Sequence, residues 1–201
     1  MSSSSSPWLV VGLGNPGDRY VNTRHNVGHM TVEELSRRMG EGFRKHASGT
    51  RICDARLGML PGGIPGPRVV LAMSEGYMNV SGGPVGRLMK ALSIPVDRLL
   101  VVHDDLDLPE HDLRLKKGGG EGGHNGLKSI SQVLGTRDYA RLRIGIGRPP
   151  ARMDPADYVL AKLPKKEAED WGVTIQLAAD VVEDIVTTDF ADAQQRLHSA
   201  R

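Results

Sequence analysis

The chain of 201 residues has a single cysteine, Cys53, and only 4% of its residues are aromatic. One cysteine excludes both an internal disulfide framework and a Cys-based zinc site, which suits a reducing compartment, and we expect a buried thiol. Hydrophobic residues make up 39% of the chain. With so few aromatic rings among them, the core is expected to consist of Val, Leu, Ile, Met and Ala.

Long apolar stretches are also missing from the sequence. No run of about 18 apolar residues occurs, which excludes a conventional membrane-spanning helix. Residues 1–7 contain five consecutive serines but neither the basic nor the apolar part of a signal peptide, so we predict a disordered lead. We therefore expect a soluble, cytoplasmic protein whose single domain covers residues 8–201.

Neither sign of charge dominates the chain. Lys and Arg together number 26 and Asp and Glu 24, which gives a net charge of +2. This excess is too small to indicate a nucleic-acid partner by itself. Any surface that binds phosphate must therefore be a local cluster of basic residues.

Predicted strands alternate with predicted helices. Residues 8–13 form an apolar run that ends at a glycine-rich turn, which is typical of a strand buried on both faces. The pattern predicts further strands at 51–60, 68–73, 98–103, 112–117 and 139–147, and helices at 25–39, 80–92, 124–134 and 165–187. This order favours a single-domain α/β fold, a three-layer αβα sandwich around a twisted, mostly parallel mixed sheet.

Functional residues of such sheets gather beyond the carboxyl ends of the strands. We therefore expect the loops after Leu13, Met73, His103 and Lys117 to lie near one another. Four segments in or beside these loops carry candidate functional residues.

The first segment is GLGNPG, residues 12–17, which matches the G-x-G-x-x-G pattern of dinucleotide sites. Pro16 interrupts the turn, and no acidic residue ends the next strand where a ribose would bind. We favour a glycine and proline turn that leaves Asn15 free for function, and a dinucleotide-dependent oxidoreductase remains an alternative.

The second segment is TRHNVGH, residues 23–29, in which His25, His29 and Glu33 follow one another at intervals of four. A zinc site is one interpretation, but a zinc protease motif needs Glu directly after the first histidine, where this chain has Asn26. We predict no metal here. His25 follows the glycine-rich turn closely enough to be a candidate base.

The third segment is VVHDDLDLP, residues 101–109, which places adjacent carboxylates at the end of a buried strand. One carboxylate could orient an imidazole, so that the other ring nitrogen accepts a proton from water. A solvated acidic turn explains Asp105 and Asp107 equally well, and a carboxylate pair for glycoside hydrolysis remains open.

The fourth segment is KKGGGEGGHNG, residues 116–126, with five glycines around one glutamate. Such a segment is either mobile or closely approached by a ligand, and its amides could bind an anion beside Lys116 and Lys117. Farther on, Arg141 and Arg143 would share one face of a strand, either to contact phosphate or to form a solvated rim.

Taken in order, these segments resemble the bacterial peptidyl-tRNA hydrolase family over nearly the whole chain. The resemblance is carried by GLGNPG, Tyr20, TRHNVG, YMNVSG, VVHDDLDLP, GGGEGGHNGLKSI and RLRIGIG. It implies an esterase that releases the peptide from peptidyl-tRNA and recycles the tRNA, without metal or other cofactor. The implied partner is peptidyl-tRNA, contacted at its acceptor stem, its 3′ end and its peptide, and the implied oligomeric state is a monomer.

The resemblance also implies roles for individual residues. His25 corresponds to the base that activates water and Asp104 to the carboxylate that orients it, with Asn15 and Asn79 as catalytic amides. The remaining implied contacts are with substrate: the peptide would meet Tyr20, Met78, Asn79, His124 and Asn125, and tRNA phosphate would meet Lys116, Arg143 and, more weakly, Arg114.

The chain departs from the family pattern just before the Met-Asn pair. In MSEGYMN, Glu75 brings an acidic group beside the expected site, and Gly76 loosens the backbone that supports Asn79. These differences bear on rate and peptide preference more than on reaction type, because Asn79 is retained. A noncatalytic RNA-binding relative of the same fold is the main alternative function.

Overall fold

The structure is a computed structural model that describes residues 6–200. Residues 1–5, most of the predicted disordered lead, lie outside the described part of the chain. Residues 6 and 7 precede the first strand without regular secondary structure.

Seven of the strands in the described residues form one mixed sheet. The strands are β1 (Trp8–Gly12), β2 (Arg44–His46), β3 (Thr50–Arg56), β4 (Met59–Leu60), β5 (Ile64–Pro65), β6 (Arg68–Ser74), β7 (Leu99–Asp105), β8 (Leu113–Lys117) and β9 (Ala140–Gly145). The sheet order is β2-β3-β6-β1-β7-β9-β8, and β4 pairs only with β5. The central strands β6, β1, β7 and β9 are parallel to one another, whereas the pairs β2–β3, β3–β6 and β8–β9 are antiparallel.

Helices cover both faces of this sheet. They are α1 (Val27–Met39), α2 (Gly82–Leu92), α3 (Asn125–Leu134), α4 (Pro155–Leu160), α5 (Ala168–Thr187) and α6 (Phe190–Ser199). One core contains Val10, Leu100 and Val102 together with residues of α1, α5 and α6. The other contains Leu9, Val11, Leu99 and Val101 together with residues of α2 and α3. The alternation of side chains along β1 and β7 thus fills two apolar layers.

The predicted α/β sandwich with a mostly parallel sheet is correct, although three short elements were missed. Strand β2 has the polar sequence RKH at the edge of the sheet and gives no apolar signal. Asp154 is the N-cap of α4, and its side chain accepts the amide hydrogen of Ala156. Asp189 is the N-cap of α6, and its side chain accepts the amide hydrogen of Asp192. Each of these helices is defined by its cap more clearly than by apolar periodicity.

Two further expectations were wrong in detail. The strand predicted at 51–60 ends at Arg56, because the chain turns there into the β4–β5 hairpin. The loop after Lys117 does not begin at the carboxyl edge of the parallel strands, because β8 is antiparallel and pairs Lys117 with Ala140 at the start of β9. The loop instead runs back along the sheet to reach that edge.

No helix among residues 6–200 combines the length and the apolar composition that crossing a membrane requires.

Candidate active site

The glycines of the GLGNPG turn allow a close approach between β1 and α1. A Cβ atom on Gly12 would lie 2.3 Å from the carbonyl oxygen of Gly28, and one on Gly28 would lie 2.3 Å from that of Val102. Both positions therefore need glycine so that the helix can pack directly on the strands. Packing therefore accounts for Gly12, the first glycine of the G-x-G-x-x-G pattern, without a bound dinucleotide.

Asn15 is the buried polar residue of this turn. Its backbone N–H donates to Oδ1 of Asn26 at 2.8 Å, and its carbonyl oxygen accepts from Nδ2 of Asn26 at 2.9 Å. Its own side-chain oxygen accepts the N–H of Met78 at 2.8 Å. Asn15 thereby joins the turn after β1 to the turn that carries Asn79, and its amide hydrogens have no partner among residues 6–200.

His25 lies in a 3-10 turn directly before α1 and meets Asp104 at the end of β7. Nδ1 of His25 is 2.8 Å from Oδ2 of Asp104, whose side chain is only 2% exposed. The carboxylate accepts the Nδ1 hydrogen, so Nε2 of His25 is left with its lone pair. This is the tautomer that a general base needs.

His124 is a second imidazole bound to the same carboxylate. Its Nε2 is 2.8 Å from Oδ1 of Asp104. Its Nδ1 accepts the backbone N–H groups of Gly126 and Leu127, so His124 also caps α3. Because Nδ1 is the acceptor, the hydrogen of His124 resides on Nε2 and is donated to Asp104.

Asp104 therefore accepts one hydrogen bond on each oxygen, and the pKa values follow from this arrangement. Burial would lower the pKa of His25, but the charge of Asp104 and its hydrogen bond outweigh it, so the pKa is raised above 6.5. Burial would raise the pKa of Asp104, but His25 and His124 together hold it well below its usual range. Asp104 is thus ionised at neutral pH.

The same three residues are also a candidate metal cluster. One ligand atom from each of His25, Asp104 and His124 lies within 4.8 Å of the others. A metal needs a lone pair on each nitrogen, but Nε2 of His124 carries a hydrogen because its Nδ1 accepts two amides. The donor set fits a hydrogen-bonded cluster better than a metal centre.

A solvent-open cavity of about 170 Å³ borders His25 and Asp104. One wall comes from the glycine-rich loop, through Glu121, Gly122 and Gly123, and another from α4, through Pro155, Ala156 and Val159. Residues of α4 were not among the predicted site residues, since their sequence carries no polar motif. The cavity gives water and a small group access to the histidine.

The amides predicted to contact substrate lie on two elements that pack together. Met78 is buried, and a Cβ on Gly126 would lie 2.6 Å from its sulfur, so the turn at 78–80 packs on the start of α3. Asn79 lies in this turn and Asn125 at the start of α3; both are exposed, and their side chains make no hydrogen bond within residues 6–200. Tyr20 makes an edge contact with Tyr77 at 6.2 Å between ring centroids.

The predicted phosphate-binding residues lie on the face of the sheet that α2 and α3 cover in part. Arg114 and Lys116 on β8 alternate with core residues Leu113 and Leu115, and Arg143 on β9 is paired beside Arg114. Nε of Arg143 donates to Asp105 at 2.7 Å. Lys116 and Arg143 border one cavity of about 240 Å³ next to the one that His25 borders.

Arg141 differs from these residues because it is buried, with 2% exposure. Its guanidinium donates to the carbonyl oxygens of Gly120 at 2.7 Å, Gly119 at 3.0 Å and Arg137 at 3.2 Å, and it lies 4.7 Å from the ring centroid of Tyr139. The expectation of a phosphate contact or a solvated rim was wrong for Arg141. It holds the glycine-rich loop by its main chain.

The carboxylates at and just after the end of β7 have different hydrogen-bond partners. Asp104 faces the two histidines, whereas Asp105 accepts from Arg143 and Asp107 pairs with Arg148. Neighbouring residues of a strand point to opposite faces. Asp104 and Asp105 therefore do not form the facing pair that glycoside hydrolysis requires.

Comparison with known proteins identifies the chain. The sequence profile of the family described as "Peptidyl-tRNA hydrolase" matches residues 9–201. The chain belongs to the peptidyl-tRNA hydrolase family. The resemblance that the sequence motifs indicated is thus confirmed.

Individual relatives agree with this assignment. A peptidyl-tRNA hydrolase of Kineococcus radiotolerans is 56% identical over 195 residues, which cover 97% of this chain and 98% of the relative. One of an Arthrobacter species is 51% identical over 193 residues, covering 96% and 97%. The crystal structure of peptidyl-tRNA hydrolase from Acinetobacter baumannii superposes with a TM-score of 0.85 at 34% identity, covering 98% of this chain and 97% of that one. Both the enzyme class and the fold class are therefore confirmed.

Sequence reasoning did not predict the structural contacts of three residues of this site. His124 was expected to contact the peptide, which stays a prediction, but its hydrogen bond to Asp104 was not foreseen; its place at the start of a predicted helix was the available signal. Asn26, whose side chain accepts the backbone N–H of Asn15, was noted only because it stands where a zinc protease motif requires Glu. Arg141 had no distinguishing signal, because alternation along β9 gives it the same face as Arg143.

Proposed function

We propose that this chain hydrolyses the ester that joins a peptide to the 3′ end of a tRNA, with His25 as general base. The observation that carries the proposal is the 2.8 Å contact between Nδ1 of His25 and Asp104, since it leaves Nε2 free to accept a proton. The ester is already an activated acyl group, so a base, a water and an oxyanion donor suffice.

The reaction proceeds in two balanced steps. Nε2 of His25 takes a proton from water while the water oxygen bonds to the ester carbonyl carbon, and the carbonyl oxygen becomes an oxyanion. When this intermediate collapses, the bond to the ribose oxygen breaks and the imidazolium returns its proton to that oxygen. Asp104 stays ionised and stabilises the transient imidazolium. The products are a peptide carboxylic acid, which releases its proton to solvent, and a tRNA with a free ribose hydroxyl.

Neutral amides supply the remaining contacts. The exposed side-chain amides of Asn79 and Asn125 can donate to the oxyanion, a contribution worth about 2.7 to 4 kcal/mol in other hydrolases. Amides also bind the backbone groups that all peptides share. Asn15 positions the turn of Asn79 through Met78, so we assign it a supporting place in the same machinery.

The tRNA is proposed to lie over β8 and β9. Lys116 and Arg143 border the cavity next to the catalytic one, and Arg114 stands beside Arg143 in the register of the two strands. The positive charges of these three side chains are complementary to the negative charges of acceptor-stem phosphates. The cytoplasmic location and the monomeric state stay predictions.

The test is an assay of purified protein with N-acetyl-aminoacyl-tRNA in the presence of EDTA. We expect wild type to release free tRNA, and His25→Ala to be slower by about 10²- to 10⁴-fold while still binding tRNA. Lys90→Ala, a change at an exposed position of α2 away from the cavities, is the control. If folded wild type binds tRNA without cleaving it, the noncatalytic RNA-binding alternative replaces this proposal.

A further inference from the structure

A second large cavity lies on the other side of Asn15 from the catalytic histidine. It has a volume of about 430 Å³ and lies among the turn after β1, the start of α1, and the ends of β3 and β6. Asn15 and Asn26, which pair with each other through two hydrogen bonds, both border it. We call this space the acidic cavity, after the carboxylates of Asp18, Glu33 and Glu75 that border it.

Strand order places three cavities in a row across the sheet. The cavity that Lys116 and Arg143 border lies over β9 and β8, the cavity that His25 borders lies at the end of β7, and the acidic cavity lies at the ends of β1 and β6. A peptidyl-tRNA has its phosphates on one side of the ester and its peptide on the other. If the phosphates lie over β9 and β8, the peptide leaves the ester toward β1 and β6.

The two ends of this row differ in net charge. The cavity of Lys116 and Arg143 is lined by charges of both signs, because Asp105, Asp107 and Glu121 also border it, whereas the acidic cavity has an excess of negative charge. Three carboxylates border the acidic cavity, those of Asp18, Glu33 and Glu75, against the single guanidinium of Arg51. Lys45 lies 3.9 Å from Glu75, but its side chain is 83% exposed at the rim. This excess of negative charge repels phosphate and attracts cationic groups.

The lining also offers groups that suit a peptide. Met30 and Met73 provide apolar surface, and the exposed amide of Asn22 has no side-chain partner within residues 6–200. Nε2 of His29 is buried and lacks a hydrogen-bond partner, and burial lowers the pKa of His29 to about 4, so the ring is neutral.

We propose that the acidic cavity receives the peptide residues that precede the ester-bearing one, and that Asp18, Glu33 and Glu75 favour a cationic side chain there. The proposal rests on the proposed hydrolase function and adds a preference to it. Because the carboxylates act by charge on a partly exposed group, the expected effect is a modest bias superimposed on broad specificity.

The experiment compares tRNAs that carry acetylated tripeptides with one Lys, Gln or Glu as the second or third residue counted from the ester. For wild type at low salt, kcat/KM should follow the order Lys, Gln, Glu, with about three- to fivefold between Lys and Glu at the better position. The difference should appear in KM, because a remote contact binds substrate and transition state alike. Acetyl-alanyl-tRNA, which is too short to reach the cavity, serves as the internal reference.

Variants test the assignment to this cavity. Glu75→Gln should reduce the bias, Glu75→Lys should abolish it because the charges of the lining then cancel, and Asp97→Asn, before the amino end of β7, should leave it unchanged. Cleavage of all substrates at equal rates, or a bias that the Glu75 variants leave intact, overturns this inference and spares the hydrolase proposal. Failure to cleave even acetyl-alanyl-tRNA overturns both.

Discussion

Nδ1 of His25 and Oδ2 of Asp104 lie 2.8 Å apart although 79 positions separate the two residues in the chain. The contact joins a turn before α1 to the end of β7, and it is brought about by the close packing of Gly12 against Gly28. The orientation of the base therefore depends on the packing of the first helix against the sheet.

Replacement of Asp104 tests how much this orientation contributes. In Asp104→Asn the side chain can donate a hydrogen bond to Nδ1, which would put the imidazole hydrogen on Nε2 and remove the base. We expect kcat to fall by about 10²- to 10⁴-fold in single-turnover assays. Asp97→Asn, the same change at an exposed position, should keep the wild-type rate, and an Asp104→Asn variant of near-normal kcat would refute the assigned tautomer.

The pH dependence of the reaction follows from the raised pKa of His25. Only the neutral imidazole acts as a base, so kcat/KM should rise with pH and reach half its plateau above pH 6.5. The same shift stabilises the fold below pH 6.5, and this contribution is lost as pH rises through the pKa of His25 in the folded protein. A half-point below pH 6.5 in a pH–rate profile would contradict the assignment.

His124 combines a structural contact and a catalytic contact that two substitutions can separate. His124→Ala removes both the cap of α3 and the hydrogen bond to Asp104, whereas His124→Asn retains a side chain that can cap the helix. We expect the Ala variant to be less stable than the Asn variant by about 1 kcal/mol in denaturant unfolding.

Catalysis should not follow the same order. Both variants leave Oδ1 of Asp104 without its donor, so kcat should fall about tenfold or more in each, and the midpoint of the pH–rate profile should shift in both. If His124→Asn restores the full wild-type rate, the role of His124 is confined to the helix.

Binding to tRNA provides an independent test of the basic surface. The affinity of the inactive His25→Ala protein for tRNA should weaken with added salt, with a log-log slope of about −0.7 to −0.9 for each phosphate neutralised. Lys116→Gln should make the slope shallower by about that amount. Lys90→Gln, at an exposed position of α2, should leave the slope unchanged. An affinity independent of salt would exclude phosphate contacts as its source.

Much of the site was predictable because its residues occur in short ordered motifs. His25, Asp104 and Asn79 were assigned from such motifs, and the structure brings His25 to Asp104. The contact between His124 and Asp104 was not predictable, because it depends on how a loop that leaves an antiparallel strand returns along the sheet. Such a path is set by tertiary packing and leaves no periodic trace in the sequence.

Local patterns were similarly informative for the central strands and less so elsewhere. The apolar runs of β1, β6 and β7 are buried on both faces, so they stand out in the sequence. Along β9, alternation correctly gave Arg141 and Arg143 one face, but it could not reveal that a loop covers only the first of them.

The burial of Arg141 has a kinetic consequence. Lifting the glycine-rich loop would break the hydrogen bonds that the Arg141 guanidinium donates to Gly119 and Gly120. A hydrogen bond from a charged donor is worth about 1.5 to 3 kcal/mol. The raised loop should therefore be populated on the order of 1% or less. Five glycines in six residues thus form a stationary wall. We expect substrate to meet a ready-made entrance, so that association is governed by diffusion and orientation and does not wait for a rare opening.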